Sequence, residues 1–209
     1  LTALGLDVRK ELCISNLSRI VERAATQDTF VRIDMEGSDY TEVTLEIFEQ
    51  YMRPSFPGHV GIVLQSALRR TTQDVENAIE WGARVRLCKG AYKEPASIAY
   101  PDKSDVDEAY VRQMKRLLEE GNYPGLATHD EAIIAEARRF VAEKGIGRER
   151  FEFQMLYGIR PNLQAQLRDD GFTMRLYAGY GTEWYPYFMR RLAERPANVW
   201  FIASNFFRR

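Results

Sequence analysis

Short strand-like stretches alternate with helical segments along the 209-residue chain, and this alternation limits the possible folds more than any other feature. Six stretches have the length and composition of buried strands; they are residues 30–35, 60–65, 84–88, 125–128, 150–156 and 173–177. Helical periodicity is found between them, at residues 9–25, 41–52, 72–81, 105–120, 130–143 and 162–168. Such alternation is typical of parallel βα units.

Two further segments bring the strand count to eight. Residues 1–5 (LTALG) resemble the carboxyl end of a strand whose beginning is absent, and residues 199–203 form the last strand, after a helix at 183–194. Eight strands favour a (β/α)₈ TIM-like barrel of the α/β class, truncated at its amino end so that the first strand is incomplete. An open doubly wound sheet would normally carry a glycine-rich phosphate turn, which is absent here. We expect a single domain over residues 1–209.

Composition limits the partners and the compartment. A formal net charge of -1 and a pI near 6.3 provide no basic surface for nucleic acid. The two cysteines, Cys13 and Cys88, make no disulfide framework, which favours a reducing compartment. No apolar run reaches the roughly 20 residues that a membrane span needs. No metal site is expected, because neither His59 nor His129 has a second histidine or a cysteine at ligand spacing.

Polar side chains share one face of each strand at the carboxyl ends, where a parallel barrel places its active site. In residues 84–88 a period of two puts both arginines and the cysteine on one face, opposite Val85 and Leu87. The side that faces the helices must be apolar, so the polar face points into the barrel, where it needs a polar ligand. The other polar-face residues are Arg32, Asp34, Glu36, Gln65, His129, Glu152, Gln154, Arg175 and Tyr177.

The segment Lys89-Gly90-Ala91-Tyr92 follows the strand at 84–88 and is the first candidate site. Buried arginines are unfavourable unless paired, so the preceding strand suggests an anionic ligand, and Gly90 would let the backbone approach it closely. His129 could instead simply precede a helix that starts with Asp130 as a first-turn acid. The combined set suits a large cofactor with phosphates and a hydrogen-bonding ring; its members are Gln65, Arg86, Lys89, His129 and Gln154.

A second constellation lies on the helix at 183–194, EWYPYFMRRLAE. Its members occupy positions i, i+3, i+4 and i+7 of one face; they are Tyr187, Arg190, Arg191 and Glu194. One interpretation is a surface stripe whose ion pairs contribute only about 0.3–0.5 kcal/mol each. The other is a carboxylate clamp at the barrel mouth, because the planar fork of arginine grips a carboxylate with two hydrogen bonds.

Taken in order, these motifs resemble the catalytic barrel of the proline dehydrogenase family. The matching segments extend over nearly the whole chain; they are RIDME, GIVLQS, VRLCKGAYKEP, ATHD, FEFQMLYG and YGTEWYPYFMRRLAER. The resemblance implies a (β/α)₈ barrel that holds FAD at the carboxyl ends of its strands. It implies oxidation of L-proline to Δ1-pyrroline-5-carboxylate by hydride transfer from C5 to flavin N5, with electrons passed to a quinone.

The resemblance also implies roles for residues. Flavin contacts would come from Gln65, Arg86, Lys89, Gly90, Ala91, Thr128, His129, Gln154, Arg191 and Glu194. Substrate contacts would come from Asp34, Tyr92, Leu156, Tyr177, Tyr187, Arg190 and Arg191. The implied catalytic set is Asp34, Arg86, Tyr177, Arg190 and Arg191. In that set Arg86 would lie near flavin N5, the two neighbouring arginines would hold the proline carboxylate, and Asp34 would stabilise the iminium.

Two positions depart from the family's pattern. The family has a substrate-site lysine just before the segment that matches LTALG, and this chain begins after it. The family usually has proline where this chain has Gly179, which gives the loop after the seventh strand more conformational freedom.

Two other functions are compatible with these residues. A barrel aldolase or lyase would use Lys89 as a Schiff-base nucleophile. A non-catalytic sensor would bind proline through Arg190 and Arg191 without reducing a flavin.

By the family resemblance the partners are L-proline and a lipid-soluble quinone. From these partners we expect a cytoplasmic protein with peripheral contact to the inner membrane, or a mitochondrial one in a eukaryote. The sequence does not define the oligomeric state.

Overall fold

Six parallel strands form the centre of the computed structural model, which describes residues 1–182. Each strand pairs with the next one in the chain, so the order in the sheet is β1 to β6. Parallel neighbours need a crossover connection, and helices occupy these crossovers. The strands are β1 (Val31–Ile33), β2 (Val60–Gln65), β3 (Arg84–Cys88), β4 (Gly125–Ala127), β5 (Glu152–Leu156) and β6 (Met174–Tyr177).

The helices agree with the sequence periodicity to within a few residues, apart from the second. They are α1 (Lys10–Ala25), α2 (Ser38–Ile47), α3 (Arg53–Ser55), α4 (Thr71–Glu80), α5 (Lys103–Glu120), α6 (Glu131–Lys144) and α7 (Pro161–Asp169). The helix expected at 41–52 starts earlier, at Ser38, and a π-helical turn over Phe48–Met52 joins it to α3. A short 3₁₀ turn, Arg148–Arg150, precedes β5.

The amino end differs from the expected strand. Thr2–Leu4 forms a 3₁₀ helix, so the incomplete first strand predicted at residues 1–5 is wrong. Gly5 ends this turn at φ 94°, a left-handed conformation that glycine adopts without steric cost, and its N–H donates to Thr2 O. Periodicity cannot distinguish strand from helix in so short an apolar run. The predicted helix at 183–194 and strand at 199–203 lie outside the described residues.

The core lies between the sheet and the surrounding helices. Val85 and Leu87 on β3 are buried in it, whereas Arg84, Arg86 and Cys88 on the opposite face are only half-buried. This alternation confirms the face predicted for the third strand. The apolar strand residues pack against helix residues in one continuous cluster, which includes Ile33, Leu64, Leu126, Phe153, Met155, Val21, Ile47, Val75, Met114 and Ala137.

Gly61 of β2 lies between β1 and β3, with no space for a side chain. It pairs with Arg32 on one side and Arg84 on the other. A Cβ at this position would clash with the Arg84 carbonyl and would lie 2.8 Å from Arg32 Nη1. The absence of a side chain at residue 61 therefore makes room for an arginine on the inner face of the sheet.

We expect Gly61→Ala to lower the free energy of unfolding by about 2 kcal/mol, because the added methyl group must displace the backbone of β3. Urea unfolding measures this change. The matched control is Gly179→Ala, since nothing lies within 4 Å of a Cβ at that position. The control should stay within about 0.5 kcal/mol of the parent protein. Equal stabilities of the two variants would contradict the close approach.

Candidate active site

Side chains from three strands meet at the carboxyl end of the sheet. Arg86 of β3 places its guanidinium carbon 4.9 Å from the ring centre of Tyr177 at the end of β6. Arg86 Nη1 also lies 3.9 Å from Asp34 Oδ1, just after β1. The Asp34 side chain is 58% exposed and the Arg86 side chain only 18%. A cation, a carboxylate and an aromatic ring therefore share one space open to solvent, and Leu156 at the end of β5 is also exposed.

The Nε atom of Arg86 is buried and lacks a hydrogen-bond partner among residues 1–182. A buried donor without an acceptor is unfavourable by about 1–3 kcal/mol. Arg86 lies at the mouth of the barrel beside Asp34 and Tyr177, and neither of these groups accepts a hydrogen bond from its Nε. This arrangement favours a ligand that supplies an acceptor.

The loop after β3 is shaped by Gly90 and Gln65. Gly90 adopts φ 103°, and a Cβ there would lie 2.9 Å from Gln65 Oε1. Gln65 is buried, and its Nε2 donates to the Glu36 carbonyl at 2.9 Å. Only glycine combines this backbone angle with such a close contact. The loop backbone can therefore approach a ligand beside the Gln65 side chain.

Lys89 lies between two carboxylates. Its Nζ is 2.5 Å from Asp107 Oδ1 on α5 and 2.8 Å from Asp130 Oδ2 at the start of α6. Burial acts to raise the pKa of Asp107, but hydrogen bonds from Lys103 and Lys89 outweigh it and lower that pKa. The pKa of Asp130 is lowered in the same way, chiefly by Lys89 against the effect of burial. No pattern in the sequence indicated this pairing.

His129 is fixed by the neighbouring strand. Its Nε2 accepts the hydrogen bond of the Leu156 N–H at 3.0 Å, and its carbonyl accepts one from Arg160 at 2.9 Å. Burial, and secondly the charge of Arg160, lower the pKa of His129, so the ring is neutral at pH 7. Because Nε2 accepts, the proton lies on Nδ1. Asp130 caps α6 by accepting from the Ala132 N–H, which confirms that a helix starts there.

Cys88 lies on the inner face of β3, but it is not an activated nucleophile. Burial is the main cause that raises its pKa to about 11. The thiolate is the reactive form of cysteine, so Cys88 is inert as a thiol at neutral pH. Its Sγ lies 3.6 Å from the Leu64 carbonyl.

Below the mouth, a buried carboxylate accepts hydrogen bonds from several side chains of the barrel interior. Glu152 is 1% exposed and accepts two hydrogen bonds from Arg175, at 2.6 and 2.7 Å. It also accepts one from Gln154 Nε2 at 2.6 Å and one from the Tyr123 hydroxyl at 3.3 Å. Burial acts to raise the pKa of Glu152, but Arg175 and then Gln154 outweigh it and lower that pKa. The interior therefore holds an ionised carboxylate.

Two more arginines share this interior layer. Arg32 donates to the carbonyls of Ile62 and Arg84, the first at 3.1 Å. Burial, followed by the charges of Arg84 and Arg86, lowers the pKa of Arg32 to about 9. The guanidinium of Arg84 stacks on the ring of Phe30, 4.3 Å from its centre. The inner face thus carries more positive than negative charge.

The structure brings most of the predicted site residues together at the carboxyl ends of the strands and in the loops that follow them. This group consists of Asp34, Gln65, Arg86, Lys89, Gly90, Ala91, Tyr92, Thr128, His129, Gln154, Leu156 and Tyr177. Four predicted residues lie outside the described part of the chain, so the carboxylate clamp stays a prediction; they are Tyr187, Arg190, Arg191 and Glu194.

The sequence interpretation missed two groups. Asp107 carried no signal, because it looks like an ordinary charge near the start of a helix. Glu152 was recognised only as part of the polar face of its strand; its neighbour Gln154 was the one chosen for the site. The sharing of that face was the signal that could have assigned Glu152 a role. In residues 1–182 no group of His, Cys, Asp and Glu is arranged to hold a metal ion.

Fold and site define a parallel α/β barrel with an arginine-rich site at the carboxyl ends of its strands. The chain belongs to the proline dehydrogenase family, whose model matches residues 2–204. It is 46% identical to the proline dehydrogenase of Deinococcus radiodurans, over 93% of this chain and 63% of that protein. It is 45% identical to proline dehydrogenase 1 of Bacillus subtilis, over 97% of this chain and 66% of that protein. The chain thus spans just under two thirds of these curated relatives.

A solved structure supports the architecture. The crystal structure of a proline utilization A variant from Bradyrhizobium japonicum superimposes with a TM-score of 0.81 and 25% identity, over 94% of this chain and 22% of that one. Its matching domain is a (β/α)₈ barrel, so the fold class predicted from the strand and helix alternation is confirmed. No helix of residues 1–182 has the length and apolar character needed to cross a bilayer.

We expect Lys89→Met to lower the free energy of unfolding at pH 7 by about 2 kcal/mol, because it removes the less exposed of the two lysines that neutralise these partly buried carboxylates. Since the folded pKa values of Asp107 and Asp130 lie below the ordinary 3.8, this contribution is present above pH 3.8. It is lost as the pH falls further, through the folded values. Urea unfolding at several pH values measures the difference between variant and parent.

The matched control is Lys103→Met. Lys103 contacts the same two carboxylates, but its side chain is 75% exposed. An exposed ion pair contributes little, so this variant should stay within about 1 kcal/mol of the parent. A difference between Lys89→Met and the parent that shrinks between pH 7 and 5 would contradict the assignment to these carboxylates.

Proposed function

We propose that this chain is the catalytic barrel of a flavin-dependent dehydrogenase that oxidises L-proline to Δ1-pyrroline-5-carboxylate. Membership of the proline dehydrogenase family supports this reaction. The observation that carries it is the convergence of Asp34, Arg86 and Tyr177 on one open space. In the same proposal residues 1–209 act as a single domain in the cytoplasm. A lipid-soluble quinone accepts the electrons, at a peripheral contact with the membrane.

The described residues fit FAD in two respects. Arg86 has a buried Nε donor that no group in residues 1–182 satisfies, and Gly90 lets the loop after β3 approach a ligand. When bound, FAD supplies the acceptor for a hydride and transfers the electrons onward. The groups that would hold it are Gln65, Arg86, Lys89, Gly90, Ala91, Thr128, His129 and Gln154, with Arg191 and Glu194 from the part not described.

The protein contributes position and charge to the reaction. As C5 of proline loses a hydride, the nitrogen lone pair forms the C=N bond and positive charge grows on nitrogen. Asp34 supplies the opposite charge for this iminium, and Arg86 at 3.9 Å holds the Asp34 carboxylate in place. Arg190 and Arg191 would bind the substrate carboxylate. Tyr177 forms an aromatic wall that fixes the orientation of the ring.

The geometry of Lys89 argues against the aldolase or lyase. A Schiff-base lysine must attack as an uncharged amine, a form that a hydrophobic pocket or a neighbouring cation favours. Lys89 instead forms ion pairs with Asp107 at 2.5 Å and Asp130 at 2.8 Å, and it donates a hydrogen bond to Asp130. These contacts stabilise the charged ammonium form of Lys89, which anchors the loop after β3. The sensor keeps the proline site without the redox step, and the absorbance test below separates it from the dehydrogenase.

The test is an anaerobic absorbance spectrum of the purified protein with FAD, before and after addition of L-proline. We expect the flavin bands to bleach. We also expect Arg86→Met to lower kcat/KM about a hundredfold, since a donor at developing charge is worth that much. The variant should also lower the flavin midpoint potential, because a nearby positive charge favours the electron-rich reduced form.

The matched control is Arg139→Met, on the exposed surface of α6, which should change neither quantity. Bands that persist with L-proline in a flavin-loaded parent protein would favour the sensor. An Arg86→Met protein with unchanged potential and unchanged turnover would refute the role given to Arg86.

A further inference from the structure

Gln154 is one of the residues that would hold the cofactor, and its side chain is anchored from below. It lies on β5, almost fully buried, and its Nε2 donates to Glu152 Oε1 at 2.6 Å. Glu152 lies two residues earlier on the same inner face of the strand, one layer deeper in the barrel. Leu156, two residues later on that face, is 44% exposed. Gln154 therefore lies between the buried carboxylate and the open mouth.

The charge of Glu152 fixes which way the Gln154 amide points. Hydrogen bonds from Arg175 and Gln154 overcome the effect of burial and lower the pKa of Glu152, so the group is a carboxylate. A carboxylate has no proton to donate, and it can meet an amide only through the NH₂ group. The other end of the amide, Oε1, must then point away from Glu152. Within residues 1–182 the hydrogen bonds of the Gln154 side chain go to Glu152.

Two further contacts hold this arrangement. Arg175 grips Glu152 with two hydrogen bonds at 2.6 and 2.7 Å, so the carboxylate cannot rotate. Across the sheet, Gly125 of β4 pairs with Glu152, and a Cβ at Gly125 would clash with Gln154 Nε2. The NH₂ group thus occupies a space between a fixed carboxylate and a glycine. The carboxylate is the neighbour that distinguishes the two orientations of the amide, and Gly125 supplies the space for the group that meets it.

We propose that Glu152 is a positioning residue that turns the Gln154 amide so that its Oε1 accepts a hydrogen bond from the ligand at the barrel mouth. This inference rests on the proposed function, in which the ligand is a flavin. An oxidised flavin ring carries one N–H donor among several acceptors, and an amide turned the other way would meet that donor with its own N–H groups. Through the Gln154 amide, Glu152 therefore favours the flavin edge that carries the N–H donor, and Glu152 itself does not contact the flavin.

The test is a double-mutant cycle on FAD affinity and on the flavin absorption maximum. We expect Glu152→Gln to weaken FAD binding about tenfold, or 1.4 kcal/mol, because a neutral amide no longer dictates the orientation of Gln154. Gln154→Met should weaken it to a similar extent and also shift the absorption maximum. The double variant should bind FAD no more weakly than Gln154→Met alone. Additive losses would mean that Glu152 acts only through the fold, and would overturn the inference.

Two more variants keep the test decisive if Glu152→Gln does not fold. Gly125→Ala displaces Nε2 of Gln154 and leaves Glu152 intact, so it should reproduce the tenfold loss. Tyr123→Phe removes a different hydrogen bond to Glu152 and keeps the aromatic ring, so FAD affinity should stay within twofold. Normal FAD affinity in Gly125→Ala would also overturn the inference.

FAD binding by the parent protein distinguishes failure of the proposed function from failure of this inference alone. A parent protein that binds no FAD would refute the proposed function, and this inference with it. A parent protein that binds FAD, with additive losses in the cycle, would refute only the role of Glu152.

Discussion

The burial of arginine side chains inside a parallel barrel is the physical constraint on which this structure depends. A buried guanidinium is unfavourable unless acceptors or aromatic faces replace the lost water. In the lower layer of the barrel Arg32 donates to two carbonyls, and the Arg175 side chain, which is 59% exposed, binds Glu152 with two hydrogen bonds. Arg84 stacks on Phe30, but its buried Nε has no hydrogen-bond partner among residues 1–182. The pKa of Arg32 falls to about 9 through burial and the neighbouring arginines.

Arg86 lies in the upper layer, at the open mouth of the barrel, and its compensation is also incomplete. Arg86 has one carboxylate, at 3.9 Å, one aromatic ring and a buried Nε that nothing in the described chain accepts from. The unsatisfied donor of Arg86 thus lies at the mouth, where solvent and ligands enter. A ligand with an acceptor atom at the mouth can therefore satisfy this donor.

Local periodicity was enough to predict the six described strands, because each has the length and composition of a strand, and several, such as residues 84–88, also have a polar face of period two. It also placed Asp34, Arg86 and Tyr177 at the same end of the barrel. It failed for residues 1–5, where a short apolar run forms a 3₁₀ helix. It also failed for the partners of Lys89, because their pairing depends on how α5 and α6 pack, which no local pattern encodes.

The ion cluster at Lys89 gives this residue a different role from the one its motif suggests. Asp130 caps α6, where the helix dipole also favours a carboxylate, and Asp107 lies near the amino end of α5. Lys89 joins both to the loop after β3, so the position of Gly90 is set by two helices as well as by its own strand. Because two carboxylates already share this ammonium, its attraction for a phosphate is reduced. In the proposed FAD site, Lys89 would contribute mainly by holding Gly90 against Gln65, and Arg86 would be the principal positive charge for the ligand.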